Sequence, residues 1–230
     1  MTPVSTEQAT PQTIEPASFA QQLRSGTWRA HEGSESHDFS QALLAGELPQ
    51  EGYAELVAQH YFVYEALEEV GRTLAEDPVG RAVYFPELHR LPALERDLAH
   101  LCGPLWRESI RPTLSTVTYA ARIRQMAQWP AGFVAHHYTR YLGDLSGGQF
   151  IKRIVRDAYR FEGVQGIEFY VFDEIKSLPK FKNAYRAALD GLPLTTAEQE
   201  RVIAETRLAY QFNNEMMADL GRVHSTPQAA

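Results

Sequence analysis

The sequence predicts an all-α, single-domain protein, and three observations predict it. Apolar residues recur at three- and four-residue steps along most stretches between Phe19 and Leu220, which is the period of a helix face. Proline and glycine fall between those stretches, where helix ends are expected. The one aromatic run that could form a strand, Phe169-Tyr170-Val171-Phe172, is short and has no second strand to pair with. A length of 230 residues with 44% hydrophobic content can bury one substantial core, and no repeat or shift of composition divides it.

Residues 1–16 are rich in Thr, Pro, Gln and Glu and are expected to be a disordered tail. The domain is expected to span 17–222, followed by a flexible tail at 223–230. A first helix over 17–31 carries Phe19, Leu23, Thr27 and His31 at four-residue steps, so the histidine faces inward. A shorter helix over 38–48 buries Phe39, Leu43 and Leu44. The stretch 51–75 is strongly helical, with Tyr53, Leu56, Val57, Tyr64, Leu67 and Val70 on one broad face, and Asp77-Pro78 ends it. Residues 79–92 hold two prolines and read as irregular. Leu94, Leu98 and Leu101 mark a helix closed by Gly103-Pro104, and Pro112 opens the next, carried by Leu114, Val117, Ala121 and Ile123. A long helical pattern runs over 133–159, another over 173–189 restarting at Pro179, and a last one begins at a capping box near Thr195. Gly221 is expected to stop it.

The charge balance, 22 basic against 29 acidic residues, argues against a nucleic-acid binder. One cysteine, Cys102, cannot form an internal disulfide and is expected to be inert packing. No run approaches the length of a membrane span, so the chain is expected to be cytoplasmic and without a membrane anchor.

The informative stretch is 138–149, which reads YTRYLGDLSGGQ inside the 133–159 pattern. Three glycines in a helix each cost about 1 kcal/mol relative to alanine, so something must use the space they leave. Gly143 and Gly147 lie one turn apart and leave a bare strip, with Arg140, Asp144 and Gly148 on the adjoining row. Such a strip can serve a close helix crossing, or it can receive a flat apolar ligand with a polar reacting centre. On a buried helix, Arg140 would keep the Asp144 carboxylate ionised. The adjacent histidines His136 and His137 point about 100° apart and cannot clamp one metal. A di-iron carboxylate site needs paired Glu-x-x-His motifs, and only Asp97-Leu-Ala-His100 approaches one.

This stretch resembles the distal helix of the heme oxygenase family, residue for residue over its length. A second motif, Thr27-Trp28-Arg29-Ala30-His31-Glu32-Gly33-Ser34-Glu35, resembles the family's proximal helix at its threonine, histidine and following glutamate. Val83-Tyr84-Phe85-Pro86 and Lys182-Asn183-Ala184-Tyr185-Arg186 extend the resemblance over roughly residues 19–221. It implies a single-domain helical fold with haem held between a proximal and a kinked distal helix. It implies oxidative opening of haem to biliverdin with release of iron and carbon monoxide, in haem catabolism or iron acquisition. Haem would be substrate and cofactor, dioxygen the co-substrate, and an acidic ferredoxin, flavodoxin or reductase the electron donor, since no nucleotide fingerprint is present.

The resemblance also implies roles for individual residues. His31 is the axial ligand to the haem iron, with Glu35 polarising its second nitrogen. Asp144, Arg140, Tyr64, Gly143 and Gly147 form the catalytic face. Arg24, Tyr138, Lys182 and Arg186 meet the haem propionates, and Gly148, Phe212 and Asn213 lie near the pocket. Trp28 departs from the basic residue found there in some relatives. Two other readings remain: a haem store that never opens the ring, for which Asp144 has no use, and the same fold serving another small molecule, for which His31 has none.

Overall fold

The structure, a computed structural model, describes residues 17–33 and 38–224. The expected tail at 1–16, Glu35 and residues 225–230 lie outside the described residues. Of His31 only the helical backbone is described.

The described residues are helical, with no strand among them. The helices are α1 (Phe19–Gly33), α2 (Asp38–Ala45), α3 (Gln50–Thr73), α4 (Pro78–Val83), α5 (Leu91–Cys102) and α6 (Trp106–Ser109). They continue with α7 (Leu114–Gln125), α8 (Pro130–His137), α9 (Gly147–Tyr159), α10 (Leu178–Asp190) and α11 (Thr196–His224). The central member is α3, packed between α5 and α7, and the long α11 runs along α1, α7 and α8. The apolar stripe of α3 is buried as its spacing required: Tyr53, Leu56, Tyr64, Leu67 and Val70 are all inside. The inward face of α1 is likewise Phe19, Leu23 and Thr27, and its Ala20 amide donates to the Asp190 carboxylate at the end of α10 (2.7 Å).

Several boundaries differ from the sequence expectation. Residues 79–92 are not irregular: Asp77 caps α4 through the Val79 and Gly80 amides, and a short 3₁₀ turn (Pro86–Leu88) follows. Proline at the first helical position starts these elements. Helix α2 ends at Ala45, and α10 starts only at Leu178. Gly221 does not stop α11, which continues to His224, so residues 223 and 224, expected in a tail, are helical. A glycine can end a helix but need not when the flanking residues still pack. Cys102 is exposed and not packed inside, because Gly103 takes φ 82° and turns the chain away from the core.

The aromatic run forms a 3₁₀ turn (Glu168–Tyr170), and buried charges explain why. Asp97 of α5 accepts hydrogen bonds from the Glu168 amide (2.9 Å) and the Phe169 amide (2.8 Å). Arg90 donates to the Val171 carbonyl (2.5 Å), and its own amide donates to Glu68 on α3. The backbone groups a strand would pair are thus satisfied by side chains.

Away from this region, Glu205 joins three helices. Arg122 of α7 forks onto it with two bonds (2.8 and 2.7 Å), and His136 of α8 lies 2.9 Å from the same carboxylate. Burial pushes Glu205 up, but the bonds to His136 and Arg122 outweigh it and hold the group at about 2. The stabilisation is present above the unfolded value near 4.3 and is lost as pH falls through about 2. Glu205→Ala should therefore lower unfolding stability by about 2 kcal/mol, since it strips Arg122 and leaves His136 buried without a partner. Urea denaturation at pH 7 checks this; a midpoint equal to wild type would show that the trio does not hold the helices together.

Candidate active site

The helix expected over 133–159 is broken in its middle, and the break makes the site. After α8 the chain enters a π-helical turn over Tyr138–Leu142, stays helical at 143–144, and turns at 145–146 before α9 restarts at Gly147. Ser146 sits at φ −121°, ψ −87°, well outside helical geometry. The extra residue of a π turn rotates everything after it, so Arg140 and Asp144 leave the one-turn register that a regular helix would give. Gln149 bridges the bend: its amide donates to the Asp144 carbonyl (3.2 Å) and to the Tyr170 carbonyl (3.0 Å).

Between the broken segment and α1 lies a cavity of about 430 Å³, within the range that holds a small organic ligand. Arg24, Thr27 and Trp28 line it from α1, Leu56 and His60 from α3, and Phe169 and Tyr170 from the 3₁₀ turn. The three glycines divide their work. A Cβ built on Gly143 or Gly147 meets nothing within 4 Å, so both leave a flat open wall. A Cβ on Gly148 would lie 3.2 Å from the Tyr170 ring, so this glycine serves close packing instead, although it too borders the cavity.

Asp144 is 7% exposed, and its carboxylate accepts a hydrogen bond from the Tyr64 hydroxyl. Arg140 does not grip the carboxylate directly as expected. Its Nε donates to the Tyr64 oxygen (3.3 Å) and another guanidinium nitrogen donates to Asn213 on α11 (2.6 Å), so it acts on Asp144 by its charge and through Tyr64, not by a direct hydrogen bond. Burial raises Asp144 to about 6, while the Arg140 charge and the Tyr64 bond limit the rise. The group is still mainly ionised at neutral pH. Burial pushes Tyr64 far above the usual phenol range, so it stays a proton donor.

Cations gather at the rim. Arg186 and Arg24 both line the cavity and act electrostatically on the Tyr138 hydroxyl. Lys182 reaches Ser146 at the same edge (3.3 Å). Phe212 does not line the cavity; it stacks on Tyr119 with centroids 5.4 Å apart and acts as packing behind Asn213. His136 and His137 diverge to Glu205 and to Tyr185 (2.7 Å), as their spacing required. Asp97 is spent on backbone amides, and the described residues hold no cluster of metal-ligating side chains. The sequence reading missed His60, Phe169, Tyr170 and Gln149. Only His60 had a local signal, one turn before Tyr64 on the same face.

A single helical domain, an open glycine wall facing a second helix, a buried carboxylate beside it and cations at the rim make a cleft whose shape and charge suit a flat, anionic ligand. Comparison with known proteins carries this further. The family model "Heme oxygenase" matches residues 17–219. The heme oxygenase of the alga Porphyra purpurea is 40% identical over 205 residues, 89% of this chain and 87% of its own length. Heme oxygenase 1 of Bos taurus is 37% identical over 217 residues, covering 93% and 75%. The crystal structure of heme oxygenase-1 from Synechocystis in complex with heme superposes with a TM-score of 0.88 at 38% identity, covering 91% of this chain and 95% of that one. The chain belongs to the heme oxygenase family.

The different surroundings of the glycines make a stability prediction. Gly143 has helical φ and ψ (−60°, −51°) and open space at its Cβ position. Gly143→Ala should thus raise the stability of the ligand-free protein by about 0.5–1 kcal/mol. Gly148→Ala should lower it, because Tyr170 is held in place and cannot retreat. Thermal melts of both variants test this, and shifts of the same sign would show that the two sites are not distinct.

Proposed function

We propose a division of labour in the cleft of this heme oxygenase, an oxidoreductase that opens haem to biliverdin with release of iron and carbon monoxide. Gly143 and Gly147 would receive the flat face of haem, and Arg24, Lys182, Arg186 and the Tyr138 hydroxyl its two carboxylates. His31, on helix α1, would hold the haem iron through its imidazole, and Glu35 would polarise that imidazole. Bound haem supplies the iron that activates dioxygen and the ring that is cut. The protein is proposed to work in the cytoplasm.

The remaining work falls to this chain's own groups. The observation that carries the reading is the buried Tyr64–Asp144 pair, backed by Arg140 and Asn213, beside an open glycine wall. Tyr64 stays protonated and keeps Asp144 oriented. Asp144, ionised above about 6 and shielded from bulk water, can order water over the reacting face and pass protons to it. Gly143 and Gly147 bring the helix backbone close enough to limit where the reacting atoms can point. A haem store would need the wall and the rim cations but would gain nothing from an expensively buried carboxylate.

The test adds hemin and an electron donor and follows biliverdin absorbance. Wild type should form biliverdin, with a rate that rises as pH increases through about 6, where Asp144 ionises. Asp144→Asn should keep haem binding, since the side chain is assigned no bond to iron, and should lose biliverdin formation by about 10²-fold or more. Wild-type rates and an unchanged pH profile in that variant would sink the assigned role.

The electron donor is proposed to be an acidic protein docking on α9. Lys152, Arg153, Arg156 and Arg160 lie just beyond the glycine segment of a protein that is acidic as a whole, and Phe150 beside them is 58% exposed. Opposite charge speeds encounter and fades with salt. Charge reversal at Lys152 and Arg153 should slow turnover with an acidic donor by about tenfold and leave turnover with a small neutral reductant unchanged. Equal slowing with both would remove the docking surface from α9.

A further inference from the structure

Three buried histidines lie near the centre of the molecule, and two have clear protein partners. His136 is held by Glu205 and His137 by Tyr185. The third, His60, is 5% exposed on α3, one turn before Tyr64; its Nδ1 has no hydrogen-bond partner among the described residues, as is true of Nδ1 of His136, but of the two only His60 borders the cavity. It borders the cavity alongside Gly143, Asp144 and Phe169. Its ring lies 5.0 Å from Phe169 and meets Tyr64 edge-on at 6.3 Å. An apolar residue of similar size would fill this place at lower free-energy cost, because buried imidazole nitrogens are normally satisfied. Nδ1 itself is closed to solvent, so a water meets the imidazole where the residue lines the cavity. Burial, then the Arg140 charge, holds it well below its ordinary pKa, so it is neutral and offers one donor and one acceptor.

We propose that His60 is a positioning residue for ring opening: its imidazole anchors a water that extends the Tyr64–Asp144–Arg140 network along the cavity wall. A bridging water needs two or more polar partners, and Asp144 and Thr139 line the same wall. The water gives the carboxylate a second route for proton delivery and fixes its direction. The charged and titratable groups that bear on this region are Tyr64 of α3, Arg140 and Asp144 of the broken helix, Tyr170 of the 3₁₀ turn, and Arg24 and Arg186 at the rim. The proposal rests on the heme oxygenase reading, and it adds a residue to which that reading gives no role.

The experiment compares wild type, His60→Leu and His60→Gln as haem-loaded proteins. It reads the pH midpoint of the ferric visible-spectrum transition, the rate of biliverdin formation, and the melting temperature of the ligand-free protein. His60→Leu should melt higher than wild type, shift the midpoint by about half a unit or more, and slow biliverdin formation about fivefold or more. His60→Gln, which can still hold a water, should stay within about twofold of the wild-type rate and keep its midpoint. An unchanged midpoint and rate in His60→Leu would overturn the proposal, as would a Gln variant impaired as badly as the Leu variant. Absence of biliverdin from wild type would overturn the heme oxygenase reading itself, so the two failures are told apart.

Discussion

A carboxylate almost wholly removed from water is the constraint on which the rest of the site depends. Asp144 has no cation in direct hydrogen-bond contact, and burial alone would drive it to its neutral form. It stays mainly ionised because Tyr64 donates to it and Arg140 stands behind Tyr64. Those three groups come from α3 and from the segment just before the helix break, and Asn213 adds α11. The network therefore exists only when three elements are packed in register. Its geometry is a product of the core around it, because Tyr64 and Tyr141 are locked edge-to-face inside that core.

The break in the helix is the second condition. A regular helix through 138–149 would set Gly143 and Gly147 on one row and Arg140, Asp144 and Gly148 on the next. The π turn and the bend at Ser146 reset that direction, and Gln149 keeps the bend from relaxing by tying it to Tyr170. The residues on either side of Tyr170 are held by groups outside the cleft: Asp97 accepts from the Phe169 amide and Arg90 donates to the Val171 carbonyl. Burial raises Asp97 to about 7 despite its two amide partners, so this outer clamp sits near its own titration range. The wall of the cleft is thus held by polar bonds to backbone, which fix direction better than apolar contacts do.

Scaffold and site are separate in energetic terms. The Arg122–Glu205–His136 trio joins α7, α8 and α11 on the far side of α8 and gives stability without touching the cavity. The cleft carries the costly features of open glycines and a buried acid. Proteins store such costs at functional sites and offset them elsewhere in the core.

Periodicity and punctuation alone determined the helical class, the central role of the stripe on α3 and the inward face of α1, because those follow from short-range spacing that tertiary packing did not override. The motif over 138–149 was equally legible, since three glycines in a helix contradict local propensity and point to a use. Other features could not be read along the chain. That Arg140 makes its hydrogen bond to Tyr64 and not to Asp144, that Gly148 packs against Tyr170 while Gly143 and Gly147 face open space, and that His60 borders the cleft all depend on distant residues. Tyr64 and Asp144 lie 80 positions apart, and Gly148 and Tyr170 meet only because Asp97 and Arg90 turn an aromatic run away from strand geometry. Local sequence specifies which residues share a helix face; only the packing of several helices decides what that face meets.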